Sequence, residues 1–169
     1  MARELRKFSE EELKEILSNH RRYLNGEGEE FKADLSYANL RCANFKGANL
    51  SNANLRGAYL YGSDFSKADL RKADLRNANL SKANLYDVSL EDANLKYAYL
   101  VSANLSCSNL RCANFKGANL SNANLRGAYL YGSYFSKANL SNADLNHISL
   151  AGVILDCVTL TGASINEEE

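Results

Sequence analysis

Proline and tryptophan are absent, and four cysteines, two histidines and one methionine are the whole supply of soft or imidazole ligands in 169 residues. No Cys-x-x-C pair occurs among Cys42, Cys107, Cys112 and Cys157, which removes the usual zinc and redox spacings. Free thiols in a reducing compartment are the expectation. No apolar run approaches the roughly 18 residues that a membrane span needs, and the first ten residues lack the apolar segment of a secretory signal. A soluble cytoplasmic protein is expected. Charge of neither sign dominates, with 20 Lys and Arg against 20 Asp and Glu, so no global field draws the chain towards nucleic acid. Glycines inside the repeated region are isolated, and neither a phosphate-binding loop nor a nucleophile elbow is formed. His20 falls on the expected apolar face of a helix and His147 at a corner with no carboxylate or thiol at ligand spacing, so no catalytic residue, cofactor or metal site is assigned.

What fills the chain instead is a five-residue period that never slips from Leu35 to Ile165. Each of the 27 quintets is centred on a large apolar residue: 22 Leu, Phe45, Phe65, Phe115, Phe135 and Ile165. Two residues earlier stands Ala in 20 quintets, and otherwise Ser63, Val88, Ser108, Ser133, Ile148, Val153 or Val158. Five residues of an α-helix turn through about 500°, so the centres would scatter around a helix and form no stripe. In an extended segment, residues two apart share a face, and the small residue and the centre both point inward. The two polar residues that follow break this alternation and place a corner in every quintet. A chain that bends once per quintet around its own apolar side chains is an all-β solenoid. Glycines from Gly47 to Gly162 and four asparagines, Asn52, Asn77, Asn122 and Asn142, fall on the corner position, as tight or left-handed backbone requires.

Quintets such as Ala73-Asp74-Leu75, Ala78-Asn79-Leu80 and Ala83-Asn84-Leu85 carry an Ala-(Asp/Asn)-Leu-x-x motif, and in this the chain resembles the pentapeptide-repeat family. The resemblance implies a right-handed quadrilateral β-helix with four quintets per coil, hence about 6.75 coils and a rod roughly 32 Å long at ~4.8 Å per coil. Agreement at intervals of 20 is visible in the pairs Phe45/Phe65 and Phe115/Phe135 and in the series Arg56, Arg76, Lys96, Lys116. A second repetition overlies the first, since residues 39–70 and 109–140 differ only at Asp64/Tyr134 and Asp69/Asn139. The 70-residue shift is three and a half coils, which sends the copies to opposite faces.

Three regions follow: a capping helix and linker over 1–32, the β-helix over 33–166 and an acidic tail at 167–169. Ser9 as N-cap, Glu12 closing a capping box and Phe8 against Leu13 start a helix near Glu10; Asn25-Gly26 stops it. Its apolar face of Leu13, Ile16, Leu17, His20 and Leu24 is expected to lie over the first coil as a lid. At the other end the small column turns to Ile148, Val153 and Val158, with Ile154 where Asn or Asp is usual, and these four are candidates for symmetric self-association.

On the shaft, Arg56, Arg76, Lys96 and Lys116 form a candidate basic stripe, although Asp34, Asp74 and Asp156 share that face and solvated charge accounts for it as well. Tyr59, Tyr61 and Tyr99 share another face and are candidates for protein contact. The expected function is a non-enzymatic structural or protein-interaction scaffold whose partner is another protein. Some pentapeptide-repeat proteins are acidic DNA mimics that bind gyrase, and this is the runner-up. It is disfavoured because residues 33–166 hold 13 Lys and Arg against 9 Asp and Glu. An ice-binding face would need ranks of threonine, and only Thr159 and Thr161 occur. An enzyme is the remotest reading.

Overall fold

The computed structural model describes residues 5–166. A short strand β1 (Arg6–Lys7) precedes helix α1 (Glu10–Leu24), a 3-10 turn follows at Glu29–Phe31, and the chain then enters the solenoid through β2 (Ala38–Asn39). From Asp34 onward, the residue before each centre bridges in parallel to the residue 20 positions later, from Asp34↔Asn54 to Asp144↔Ser164, with Tyr129 the one exception in that run. Each coil therefore holds four quintets, and the body is a parallel β-helix.

Each quintet from 33–37 to 123–127 is tied to the next coil by three backbone hydrogen bonds. Asn79 N–H donates to Ala58 C=O at 2.9 Å, Leu60 N–H to Asn79 C=O at 2.8 Å and Gly62 N–H to Ser81 C=O at 3.0 Å. A fourth bond closes the corner within the coil, as from Ser63 N–H to Leu60 C=O at 3.1 Å. The Asn or Asp ahead of the centre adds an Asx turn. Asn54 Oδ1 accepts from Arg56 N–H at 3.2 Å and Asp74 Oδ1 from Arg76 N–H at 3.1 Å, which explains why that column keeps an amide or carboxylate.

Every corner from Tyr37 to Gly162 has a positive φ, and eighteen of these residues are not glycine, among them Lys67, Asp87, Tyr97 and Cys107. The left-handed conformation costs an L-residue roughly 1–2 kcal/mol. Closing the coil demands it, and burial of the inward columns sustains it. Centres and small residues are almost completely buried from Ala33 to Leu145, except Ala43 and Ala48, which are half-buried. Phenylalanines stack in the core, Phe45 on Phe65 at 4.8 Å and Phe115 on Phe135 at 4.7 Å between ring centroids. Where serine replaces alanine in the small column, its buried hydroxyl donates to the carbonyl three residues back, as Ser63 does to Leu60 at 2.7 Å.

At the N-terminal end the capping box is formed, with Ser9 N–H donating to Glu12 Oε2 at 2.6 Å and Glu12 N–H to Ser9 Oγ at 3.1 Å. Phe8, Leu13, Ile16 and Leu17 pack against the core of the first coil. His20 is fully buried and pins the helix down: its Nδ1 accepts from Ala33 N–H and its Nε2–H donates to Ser51 C=O, both at 3.0 Å. That pattern requires the neutral imidazole, and burial accordingly depresses its basicity, with Lys32 adding in the same direction against the Ser51 contact. Strand β1 was not anticipated from sequence. It adds in parallel to the edge of the first coil, Arg6 beside Ala38 and Lys7 beside Asn39.

Candidate functional site

The twenty-residue ladder stacks Arg56, Arg76, Lys96 and Lys116 in one outward column, as the bonds from Gly57 N–H to Arg76 C=O, Asn77 N–H to Lys96 C=O and Tyr97 N–H to Lys116 C=O require. The column is not uniformly free charge. Arg76 is bound to Asp74, with Nη2 to Oδ2 at 2.5 Å and Nε to Oδ1 at 2.8 Å. Burial opposes ionisation of Asp74, but the hydrogen bonds and charge of Arg76 outweigh it and hold the carboxyl below its usual range. One face over, Arg71 grips Asp69 in the same way, Nη2 to Oδ2 at 2.6 Å.

Of the three tyrosines singled out above, Tyr61 and Tyr99 are exposed and Tyr59 is half-buried under Asn79 of the next coil. Lys82 Nζ stands 5.6 Å from the Tyr61 ring, and the Arg41 guanidinium 5.5 Å from that of Tyr59. Sequence reasoning passed over Tyr97, Tyr129, Tyr131 and Tyr134, all of them exposed. Tyr97 sits at a corner, where its ring lies over Gly117 closely enough that a Cβ there would come within 2.6 Å of it. Glycine below a bulky corner residue was the available signal.

The C-terminal coil differs from the shaft. Ile148 is just buried, Val153 and Val158 are half-buried, and Ile154, Leu160 and Ile165 are exposed at 38%, 43% and 43%. Leu150, Leu155 and Leu160, with Phe135 and Leu140 behind them, line an apolar opening into the core. The candidate acidic tail lies outside the described residues.

One flank of this coil has come away from its neighbour. The bridge expected between Tyr129 and Ser149 is missing, although Tyr134↔Ile154 and Asn139↔Thr159 on either side of the same coil persist. A cleft of about 840 Å³ opens there, lined by Arg111, Tyr129, Tyr131, His147, Ile148 and Leu150 among others. The Arg126 guanidinium approaches His147 Nε2 at 2.9 Å on its rim. The unpaired quintet is the one that places isoleucine in a column otherwise filled by Ala, Ser or Val. Additional methylenes at a closely packed small site force backbone shifts, and among the described residues no further coil lies above this quintet to hold it down.

All four cysteines are exposed and unpaired, and the ladder puts them on four different faces. Among the described residues, no three His, Cys, Asp or Glu side chains converge to hold a metal ion. No helix among them is long and apolar enough to cross a membrane.

The family described as Pentapeptide repeats matches residues 31–66, 68–106, 98–136, 108–146 and 133–167, in 8 copies. The chain belongs to the pentapeptide-repeat family. Among solved pentapeptide-repeat structures it is similar to Rfr23 from the cyanobacterium Cyanothece 51142, at 38% identity over 59% of this chain and 60% of that one, with a TM-score of 0.39. The match thus spans well under two thirds of Rfr23. A pentapeptide-repeat protein of the Arabidopsis thaliana thylakoid lumen is 33% identical over 64% of this chain and 66% of its own, with a TM-score of 0.27. QnrB1, a plasmid-mediated fluoroquinolone resistance protein, is 24% identical over 73% and 77% respectively, with a TM-score of 0.33. No curated protein matches the chain.

Proposed function

We propose that this pentapeptide-repeat chain is a non-enzymatic scaffold that presents a rigid side-chain lattice to another protein. The observation that carries the reading is the coincidence of the ladder with outward tyrosines. Tyr97 and Tyr99 project side by side from one coil at 56% and 54% exposure, on backbone held from both sides by hydrogen bonds. Tyrosine loses little rotamer freedom on contact and is enriched at protein interfaces. The basic column of Arg56, Arg76, Lys96 and Lys116 adds charge beside them, reduced at Arg76 by Asp74.

Within this reading the body is a right-handed helix of about 6.75 coils over 33–166, α1 is the cap of its first coil, and the protein works in the cytoplasm. Ile148, Val153, Ile154 and Val158 are assigned to a symmetric pairing of C-terminal coils, which would cover the apolar opening and its strand edges once and stop. Sedimentation over a range of concentrations tests that pairing, with Ile154→Lys expected to leave a monomer.

The scaffold reading is tested by affinity capture from lysate. A protein retained by the wild type and lost from the Tyr97→Ala/Tyr99→Ala variant supports it; equal retention by both counts against the tyrosine face. Gyrase-directed mimicry stays second, because the solenoid carries more basic than acidic residues where a duplex mimic needs the reverse. DNA supercoiling is expected to be unaffected at micromolar protein.

A further inference from the structure

The duplicated segments give one surface in two states. Around Tyr59 and Tyr61, the quintet Ala78-Asn79-Leu80-Ser81-Lys82 covers the patch through hydrogen bonds from Leu60 N–H, Gly62 N–H and Asn79 N–H. The identical patch around Tyr129 and Tyr131 lacks all three counterparts: Leu130 N–H, Gly132 N–H and Ala128 C=O find no partner in residues 148–151. Tyr129 and Tyr131 are 66% and 62% exposed, whereas Tyr61 is 39% exposed beneath its covering strand. Buried or half-buried backbone groups without partners are costly, so an edge of this kind favours a strand that satisfies them. The chain itself shows that a segment from outside the repeats can do this, since β1 adds in parallel to the edge at Ala38–Asn39.

We propose that the cleft between residues 128–132 and 148–151 docks an extended segment of a partner protein, one with a small residue followed two positions later by leucine. The first copy supplies the template for its occupant, because Ala78–Lys82 is what lies on the same residues there. The segment runs parallel to the Leu130 edge, takes hydrogen bonds from Leu130 N–H and Gly132 N–H, and donates one to Ala128 C=O. Its small residue rests on Ala128 and its leucine enters between Leu130 and Leu150. A basic residue two beyond the leucine stands over Tyr131 as Lys82 stands over Tyr61 at 5.6 Å. The inference rests on the scaffold reading and deepens it by naming the docking element.

The probe is an end-blocked, fluorescein-labelled peptide of residues 76–84, Arg-Asn-Ala-Asn-Leu-Ser-Lys-Ala-Asn, titrated with the full chain and followed by anisotropy. Saturable one-to-one binding in the micromolar range is expected, with the Leu130 and Gly132 amides gaining protection from hydrogen exchange. Replacing the peptide leucine by aspartate should weaken binding at least ten-fold. The variant Ile148→Ala/Ser149→Asn/Ala151→Ser, which restores the shaft pattern, should close the cleft and lose binding by at least ten-fold. Tyr131→Ala, outside the core, should weaken it about three-fold with an unchanged circular dichroism spectrum. Absence of saturation, or undiminished binding to the closed variant or to Tyr131→Ala, overturns the proposal. Tenfold tighter binding after removal of residues 167–169 would assign the cleft to the chain's own end, and a dimer that excludes the peptide would assign it to a second copy; either result also overturns it. If capture from lysate still yields a partner lost from the Tyr97→Ala/Tyr99→Ala variant while the peptide fails to bind, only this inference falls.

Discussion

Residues 39–70 and 109–140 are a near-identical pair placed in different company. The first copy lies beside α1, which holds Ser51 through His20, and has a full coil above it; the second has only the C-terminal coil above it. The same Arg-Tyr-Tyr surface is closed in one and open in the other. Local sequence therefore sets the shape of a quintet, while the quintet 20 residues further on decides whether its hydrogen-bonding edge is available. In a stack of nearest neighbours, stability and accessibility are properties of the interface between repeats as much as of the repeat.

Truncating equivalent leucines should break the equivalence most. Leu60→Ala removes a fully buried side chain from a closed layer and is expected to cost about 3–5 kcal/mol, whereas Leu130→Ala, beside the cleft, should cost about 2 kcal/mol because its surroundings can relax. Chemical denaturation of the two variants measures the difference; equal losses would mean that the cleft does not loosen its layer. Next comes the tie to α1. His20→Ala leaves Ala33 N–H and Ser51 C=O without partners and should cost about 2–3 kcal/mol. The wild type should also soften in mild acid through His20. Its basicity is lowered by burial from the ordinary 6.5, so the unfolded chain binds the proton first. Stability is then full above about pH 6.5 and declines as pH falls below it, and His20→Ala should abolish that part of the slope.

A smaller effect tests the cause of the opening. Ile148→Ala should restore the missing rungs, slow exchange of the Leu130 and Gly132 amides at least ten-fold and raise stability by about 1 kcal/mol, the order of a relieved overpacking strain. Exchange rates unchanged from wild type would place the cause elsewhere in the quintet. Smallest is the Asp64/Tyr134 difference between the copies. The Ser66 backbone and hydroxyl, helped by Lys46 and Asn84 against a lesser burial penalty, hold Asp64 below its ordinary 3.8. Asp64→Asn should therefore lower the melting temperature slightly at pH 7, and the difference should shrink as pH drops below 3.8, since the lost contribution exists only while the carboxylate is ionised.

The period, the inward columns, the corner and the helix start were all legible, because each rests on side chains whose burial or capping preference is strong and local. Ser9, Glu12, Phe8 and Leu13 announced the helix in this way. Left-handed backbone at Lys67, Tyr97 or Cys107 was not legible, since those residue types avoid it and only closure of the coil imposes it. The pairing of β1 depends on an edge made 32 residues later, and two residues carry no periodic signal. The cleft was hidden for a related reason. Ile148 was visible as an oddity and pointed to the end of the rod, but nothing in its quintet announced the missing rung on the flank. The exposed Tyr129 and Tyr131 follow from that displacement and from nothing in their own quintet, which is the one that half-buries Tyr59.

The 70-residue shift between the copies has a consequence for how such a chain changes length. Adding or deleting any whole number of quintets leaves each leucine pointing inward, so the core is indifferent to the event. The exterior is not: one extra quintet turns everything downstream by a quarter of a revolution, and fourteen turn it by half while moving it along the axis. Five residues are thus the quantum of length this fold can gain without unfolding, and twenty the quantum it can gain without scrambling its faces. A deletion of residues 81–85 should yield a folded rod whose two ends meet their partners at a right angle to their present bearing.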